Sequence, residues 1–128
     1  MHDTTLFQTE QSGDTIIVLP MKDMGEFEMA SISADQTSAF DQLVKLTDGF
    51  NVVVDLSHTD YFGSSTIGLF NRLVAHVHVQ SRKIAFCNLS LHEKEVVKIT
   101  HINKLWDVKP SRAAALEYVA NTALTGSE

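Results

Sequence analysis

Cysteine occurs once in these 128 residues, at Cys87. A single thiol excludes an internal disulfide and suits a reducing compartment. It also excludes the paired cysteines of a zinc finger, and the six histidines are scattered. His76 and His78 are two apart, so a helix sets them on different faces, and His92-Glu93 lacks the second histidine of a zincin motif. No metal and no cofactor are expected. Basic residues are scarce: ten Lys and Arg stand against sixteen Asp and Glu, for a formal net charge of −6. No Lys/Arg run supplies the footprint that phosphate backbones require, so direct nucleic-acid binding is not expected. No apolar run approaches the roughly 18 residues of a membrane span, and Met1 to Thr5 lacks the basic and apolar regions of a signal peptide. The expectation is a cytoplasmic protein without membrane insertion. Glycine-rich phosphate loops are also missing, so nucleotide hydrolysis has no visible machinery.

What remains is an ordinary globular composition, 44% hydrophobic and 20% charged. The length fits one domain over residues 1–128, with a core from about residue 5 to 121 and a frayed tail over 122–128. Leu6 to Glu10 and Thr15 to Leu19 read as strands joined by a Ser-Gly-Asp turn, with Pro20 stopping the second. Met21 to Ile32 shows no period. Ser33 and Gln36 fit a capping box opening a helix with Ala39, Phe40, Leu43 and Val44 on one face. Asn51 to Leu56 is almost continuously apolar and β-branched, as in a strand covered on both faces.

Ile67, Phe70, Leu73, Val74 and Val77 then recur at helical spacing. Ile84 to Cys87 is a short strand. Ser90 and Glu93 fit a second capping box, opening a helix with Val96, Val97 and Ile99 inward. Leu105 to Val108 reads as a strand. Pro110-Ser111 opens a last helix with Ala113, Leu116, Val119, Ala120 and Ala123 on one side. The order β-β-α-β-α-β-α-β-α implies an α/β fold. Its mixed sheet has an N-terminal antiparallel hairpin, later parallel strands and about four helices. The expected core includes Val52, Val53, Val54, Leu56, Ile67, Phe70, Val74, Ile84 and Phe86.

Three stretches carry a family likeness. Val54-Asp55-Leu56-Ser57, a short loop and Gly63-Ser64-Ser65-Thr66-Ile67-Gly68 form the first. Arg82 to Ser90 is the second. Ile99 to Trp106, followed by Ser111 and Ala115-Leu116, is the third. Together they resemble the STAS domain, and within that family the anti-sigma factor antagonists of bacteria. The resemblance runs without gaps from Asn51 onward. It implies a phosphorylation-switched protein–protein interaction, not an enzyme. The partner would be an anti-sigma factor that is also a serine kinase, a serine phosphatase would reset the switch, and sigma-factor-dependent transcription would be the output. By register Ser64 matches the phosphorylated serine, with Ser65 and Thr66 as alternatives. The implied partner surface is Ser57, His58, Thr59, Asp60, Tyr61, Phe62, Gly63, Ser64 and Ser65. Two positions depart from the pattern: Gly63 replaces an Asp and Thr66 replaces a Gly.

The residues also bear plainer readings. Ser64 or Ser65 fits the N-cap of the following helix. Phe62 fits core packing, and His58 and His101 fit surface loops. Asp55 would accept local backbone hydrogen bonds and Asp60 would be solvated. Cys87, in an apolar strand, would be a buried inert thiol. Two other functions fit the same fold: a non-switching scaffold subunit of a sensory or transport assembly, and a small hydrolase using Ser64. The latter has no identifiable base and no Gly-x-Ser-x-Gly setting.

Overall fold

A tight turn at Gly13 joins the first two strands, β1 (Phe7–Ser12) and β2 (Thr15–Pro20). Gly13 has φ +59°, a conformation that favours glycine. The computed structural model describes residues 7–21, 32–59, 64–102 and 105–120, with backbone only for 32–39 and 64–65. The remaining elements are α1 (Ile32–Thr47), β3 (Asn51–Asp55), α2 (Ser64–Val79), β4 (Ile84–Cys87), α3 (Leu91–Thr100), β5 (Asp107–Lys109) and α4 (Arg112–Ala120). This is the expected order. The sheet runs β1-β2-β3-β4-β5, with β1 antiparallel to β2 and every later pair parallel.

Strand alternation divides the core into two faces. Val18, Val54, Phe86 and Val108 form one row across the four parallel strands. That face packs against Leu43 of α1, Leu69, Phe70, Leu73, Val74 and Val77 of α2, and Val97 of α3. Ile17, Val53 and Ala85 lie in the adjacent row on the opposite face. There Ala115 and Val119 of α4 cover them, and small residues let that helix approach closely. The apolar β3 run is thus explained: Val52, Val53 and Val54 are all fully buried because helices cover both faces.

An aromatic cluster fixes the first face. The Trp106 ring stacks on Phe86 at 3.9 Å between centroids, and Phe70 meets both rings edge-on at 5.7 and 6.0 Å. The Trp106 indole N–H donates to Asn71 Oδ1 at 2.7 Å, so the ring is buried with its polar end satisfied.

Several local expectations shift. The helix α1 begins at Ile32, so Ser33 falls inside it and does not precede it. β5 starts at Asp107, two residues late, because Trp106 turns into the aromatic cluster before the strand begins. In α4 the buried positions are Ala115 and Val119, while Ala113 and Ala120 are exposed. Ile67 is only partly buried and Leu69, one position outside the expected stripe, is fully buried. Ile99 is 71% exposed, since Val97 takes the inward position on α3. Residues 121–128, Asp60 to Gly63 and most of the stretch from Met21 to Ile32 lie outside the described residues.

Candidate functional site

The carboxyl ends of parallel strands are where α/β folds place their sites, because several loops converge there. Here β3, β4 and β5 deliver Leu56 to Thr59, Asn88 to Ser90 and Pro110 to Arg112 to one end of the sheet. Asp55 holds these connections together. Its side chain is 3% exposed. Oδ1 accepts from the Ser57 backbone N–H and from Asn88 Nδ2, both at 3.0 Å. Oδ2 accepts from Arg112 Nε at 2.9 Å, and Arg112 Nη1 donates to Glu10 Oε1 at 2.8 Å. One carboxylate therefore binds the β3 loop, the β4 loop and the start of α4. Asn88 reaches it from a left-handed backbone, φ +60°, a region asparagine tolerates. Burial opposes the Asp55 charge, but the bonds from Asn88, Arg112 and Ser57 outweigh it and hold the carboxyl below its ordinary range.

The backbone contact from Asp55 to Ser57 was legible in the sequence. Arg112 and Asn88 were not. The available signal was the acidic residue ending an apolar strand, because a buried carboxylate needs partners. Next to it, Cys87 is buried as expected, and burial, aided by the Asp55 charge, pushes its thiol up to about 12.

A second carboxylate ties the β3 loop to α3. Glu93 is fully buried. Its Oε1 accepts the Ser90 N–H at 2.9 Å, while Ser90 Oγ accepts the Glu93 N–H at 3.1 Å, which is the expected capping box. Its Oε2 accepts the Thr59 hydroxyl at 2.8 Å. Ser57 and His58 are exposed, but Thr59 is 4% exposed. Thr59 therefore supports the loop from beneath, which corrects its reading as a contact residue. Thr59→Val keeps the shape and removes that donor from a buried carboxylate. It is expected to cost about 1–2 kcal/mol in urea unfolding.

The helix α2 opens at Ser64 and runs to Val79. Its first turn holds no acidic residue. The side chains of Ser64 and Ser65, and Asp60, Tyr61, Phe62 and Gly63 altogether, lie outside the described residues. Thr66 is 1% exposed, which removes it as an accessible alternative acceptor in this structure. Among the described residues no group of three or more His, Cys, Asp and Glu side chains gathers as for a metal ion. No helix among them is long and apolar enough to cross a membrane.

Solved structures share this architecture over nearly their whole length. An anti-sigma factor antagonist from Mycobacterium paratuberculosis superposes with a TM-score of 0.73 at 15% identity, over 89% of this chain and 92% of its own. An anti-sigma-factor antagonist (STAS) domain protein from Planctomyces limnophilus gives 0.67 at 22% identity, over 89% and 97%. The chain has the STAS fold. SpoIIAA, a Bacillus cell fate determinant and anti-sigma factor antagonist, gives 0.63 at 14% identity over 90% and 96%, and it is solved in phosphorylated form as well. No family model matches the sequence, and no curated protein does.

Proposed function

We propose that this STAS domain is an anti-sigma factor antagonist. It binds an anti-sigma factor that is also a serine kinase, and phosphorylation of Ser64 ends the interaction. A serine phosphatase restores it, and the freed sigma factor acts in transcription in the bacterial cytoplasm. The observation that carries the reading is the start of α2 at Ser64, the next element after β3, in a fold shared with anti-sigma factor antagonists over nearly their full length. One of those neighbours, SpoIIAA, takes a phosphorylated form. The proposed contact surface is the exposed pair Ser57 and His58, with Asp60 to Ser65. Thr59 and Glu93 hold that loop to α3.

Gly68 supports the same surface. It lies one helical turn beyond Ser64 on the same side of α2. A Cβ there would meet nothing within 4 Å, so internal packing does not require the glycine. Gly68→Ala is expected to stabilise the fold by about 0.5–1 kcal/mol, the usual gain in a helix. It should at the same time weaken partner binding. Thermal unfolding beside a binding titration separates the two effects, and unchanged binding removes Gly68 from the surface.

Incubation with a candidate kinase and ATP, followed by phosphosite mapping, tests the reading directly. A phosphate on Ser64 together with lost partner binding upholds it. Gly63 and Thr66, which depart from the family pattern, favour a non-switching scaffold subunit as the second reading. A chain that binds its partner yet accepts no phosphate establishes that one.

A further inference from the structure

An apolar groove lies between α3 and the edge strand β5, beside the loops described above. Leu89, Val97 and Val108 line it, together with Lys94 and Lys98, and it encloses about 300 Å³. Leu91, Lys94 and Lys98 recur at i, i+3 and i+7, so they form one stripe of α3. Leu91 is 81% exposed, and a large aliphatic side chain thus continues the stripe beyond the groove. Leu105, on the approach to β5, is 59% exposed. Val97 and Ile102 already anchor this region in the core, so the fold itself does not use Leu91 or Leu105. An uncovered aliphatic side chain that continues the stripe lining an apolar groove marks an interaction site.

Charge selects the occupant. The chain carries −6 overall, yet among the described residues the charged side chains lining the groove are Lys94 and Lys98. A local positive rim on an acidic protein attracts carboxylates and turns away basic segments. We propose that the groove docks an acidic amphipathic segment of a partner protein. Bulky aliphatic or aromatic side chains would seat on Leu89, Val97 and Val108, and carboxylates would meet Lys94 and Lys98. A second copy fits worse, because groove-to-groove pairing about a two-fold axis sets lysines against lysines. A fatty acid also fits worse: the groove is open to solvent, whereas pocket ligands bury most of their surface. The proposal rests on α3 and β5 and not on the switch at Ser64.

Selection of displayed random peptides on the purified full chain tests it, with a Lys94→Glu, Lys98→Glu double variant for comparison. Both lysines are exposed, so the variant should fold, as circular dichroism will verify. Enriched peptides should carry Asp or Glu beside Leu, Ile, Phe or Trp. They should shift the amide resonances of Leu89, Val97 and Val108. The double charge reversal should weaken them by about tenfold or more, and Leu91→Ser should weaken them as well. The proposal is overturned if no peptide is enriched, if enriched peptides lack acidic residues, or if they bind the variant equally well. Decanoate shifting the same resonances where peptides do not would replace it with a lipid site. Dimerisation in sedimentation runs that the Leu91→Ser change abolishes would replace it with self-association.

Discussion

Asp55→Ala is expected to destabilise the domain by about 2–3 kcal/mol. Three donors converge on this carboxylate: the Ser57 N–H, the Asn88 amide and the Arg112 guanidinium. Alanine leaves all three without that acceptor. Breaking a fully buried ion pair costs about 3–5 kcal/mol, but the Arg112 side chain is 32% exposed and keeps Glu10, so hydration offsets part of the loss. Urea unfolding measures the difference. A loss below about 0.5 kcal/mol, the level of ordinary surface changes, would show that Asp55 does not hold the loops.

Acid titration gives the same bracket an independent reading. The folded Asp55 carboxyl is held below its ordinary value, so the folded state favours the charged form. Such a group stabilises fully at pH above its unfolded pKa, about 3.9 for aspartate, and loses its contribution as pH falls through the folded value. The stability gap between wild type and Asp55→Asn should therefore stay flat from neutral pH down to about 5 and narrow below about 3.9. A gap that instead narrows on raising the pH has the opposite sign and contradicts the assignment.

The parts of the molecule that were readable in the sequence are those with local signals. The apolar Val52-Val53-Val54 run announced a strand covered on both faces, and the Ser90 and Glu93 spacing announced a capped helix. Both describe how a short segment meets its immediate surroundings. The polar partners were hidden because they are remote: Arg112 lies 57 residues from Asp55, and Glu93 lies 34 from Thr59. No periodicity records such pairs. The sequence does not show the phase of α4 because Ala113, Ala114 and Ala115 are consecutive alanines. They offer no apolar contrast, and only contact with Val53 and Ala85 selects Ala115. The start of β5 is not local information either: Trp106 carries a strong strand preference but packs flat on Phe86 instead. For the site, the opening of α2 at Ser64 was legible as a loop meeting an amphipathic run. The burial of Thr59 was not, since a threonine in a polar loop reads as exposed.

Under the proposed function, Ser64→Asp is expected to weaken binding of the anti-sigma factor by about 2–5 kcal/mol, the usual cost of an unpaired charge in a desolvated interface. The domain itself should keep its stability. A negative group at the first residue of α2 meets the positive end of that helix, which favours it by a few tenths of a kcal/mol to about 1. No acidic residue in the first turn opposes it. The fold therefore tolerates the charge while a partner packed over the helix start does not, and this difference is what a switch requires. Phosphate carries about 1.5 to 2 negative charges at pH 7, so the phosphorylated chain should lose at least as much affinity as the aspartate variant. Ser64→Ala should bind like wild type and accept no phosphate. Ser65→Ala should remain a substrate. Calorimetric titration of wild type, its phosphorylated form and the three variants, with thermal unfolding of each and phosphosite mapping after kinase treatment, checks every arm. Phosphate mapped to Ser65, or Ser64→Asp binding as tightly as wild type, would move the switch away from Ser64.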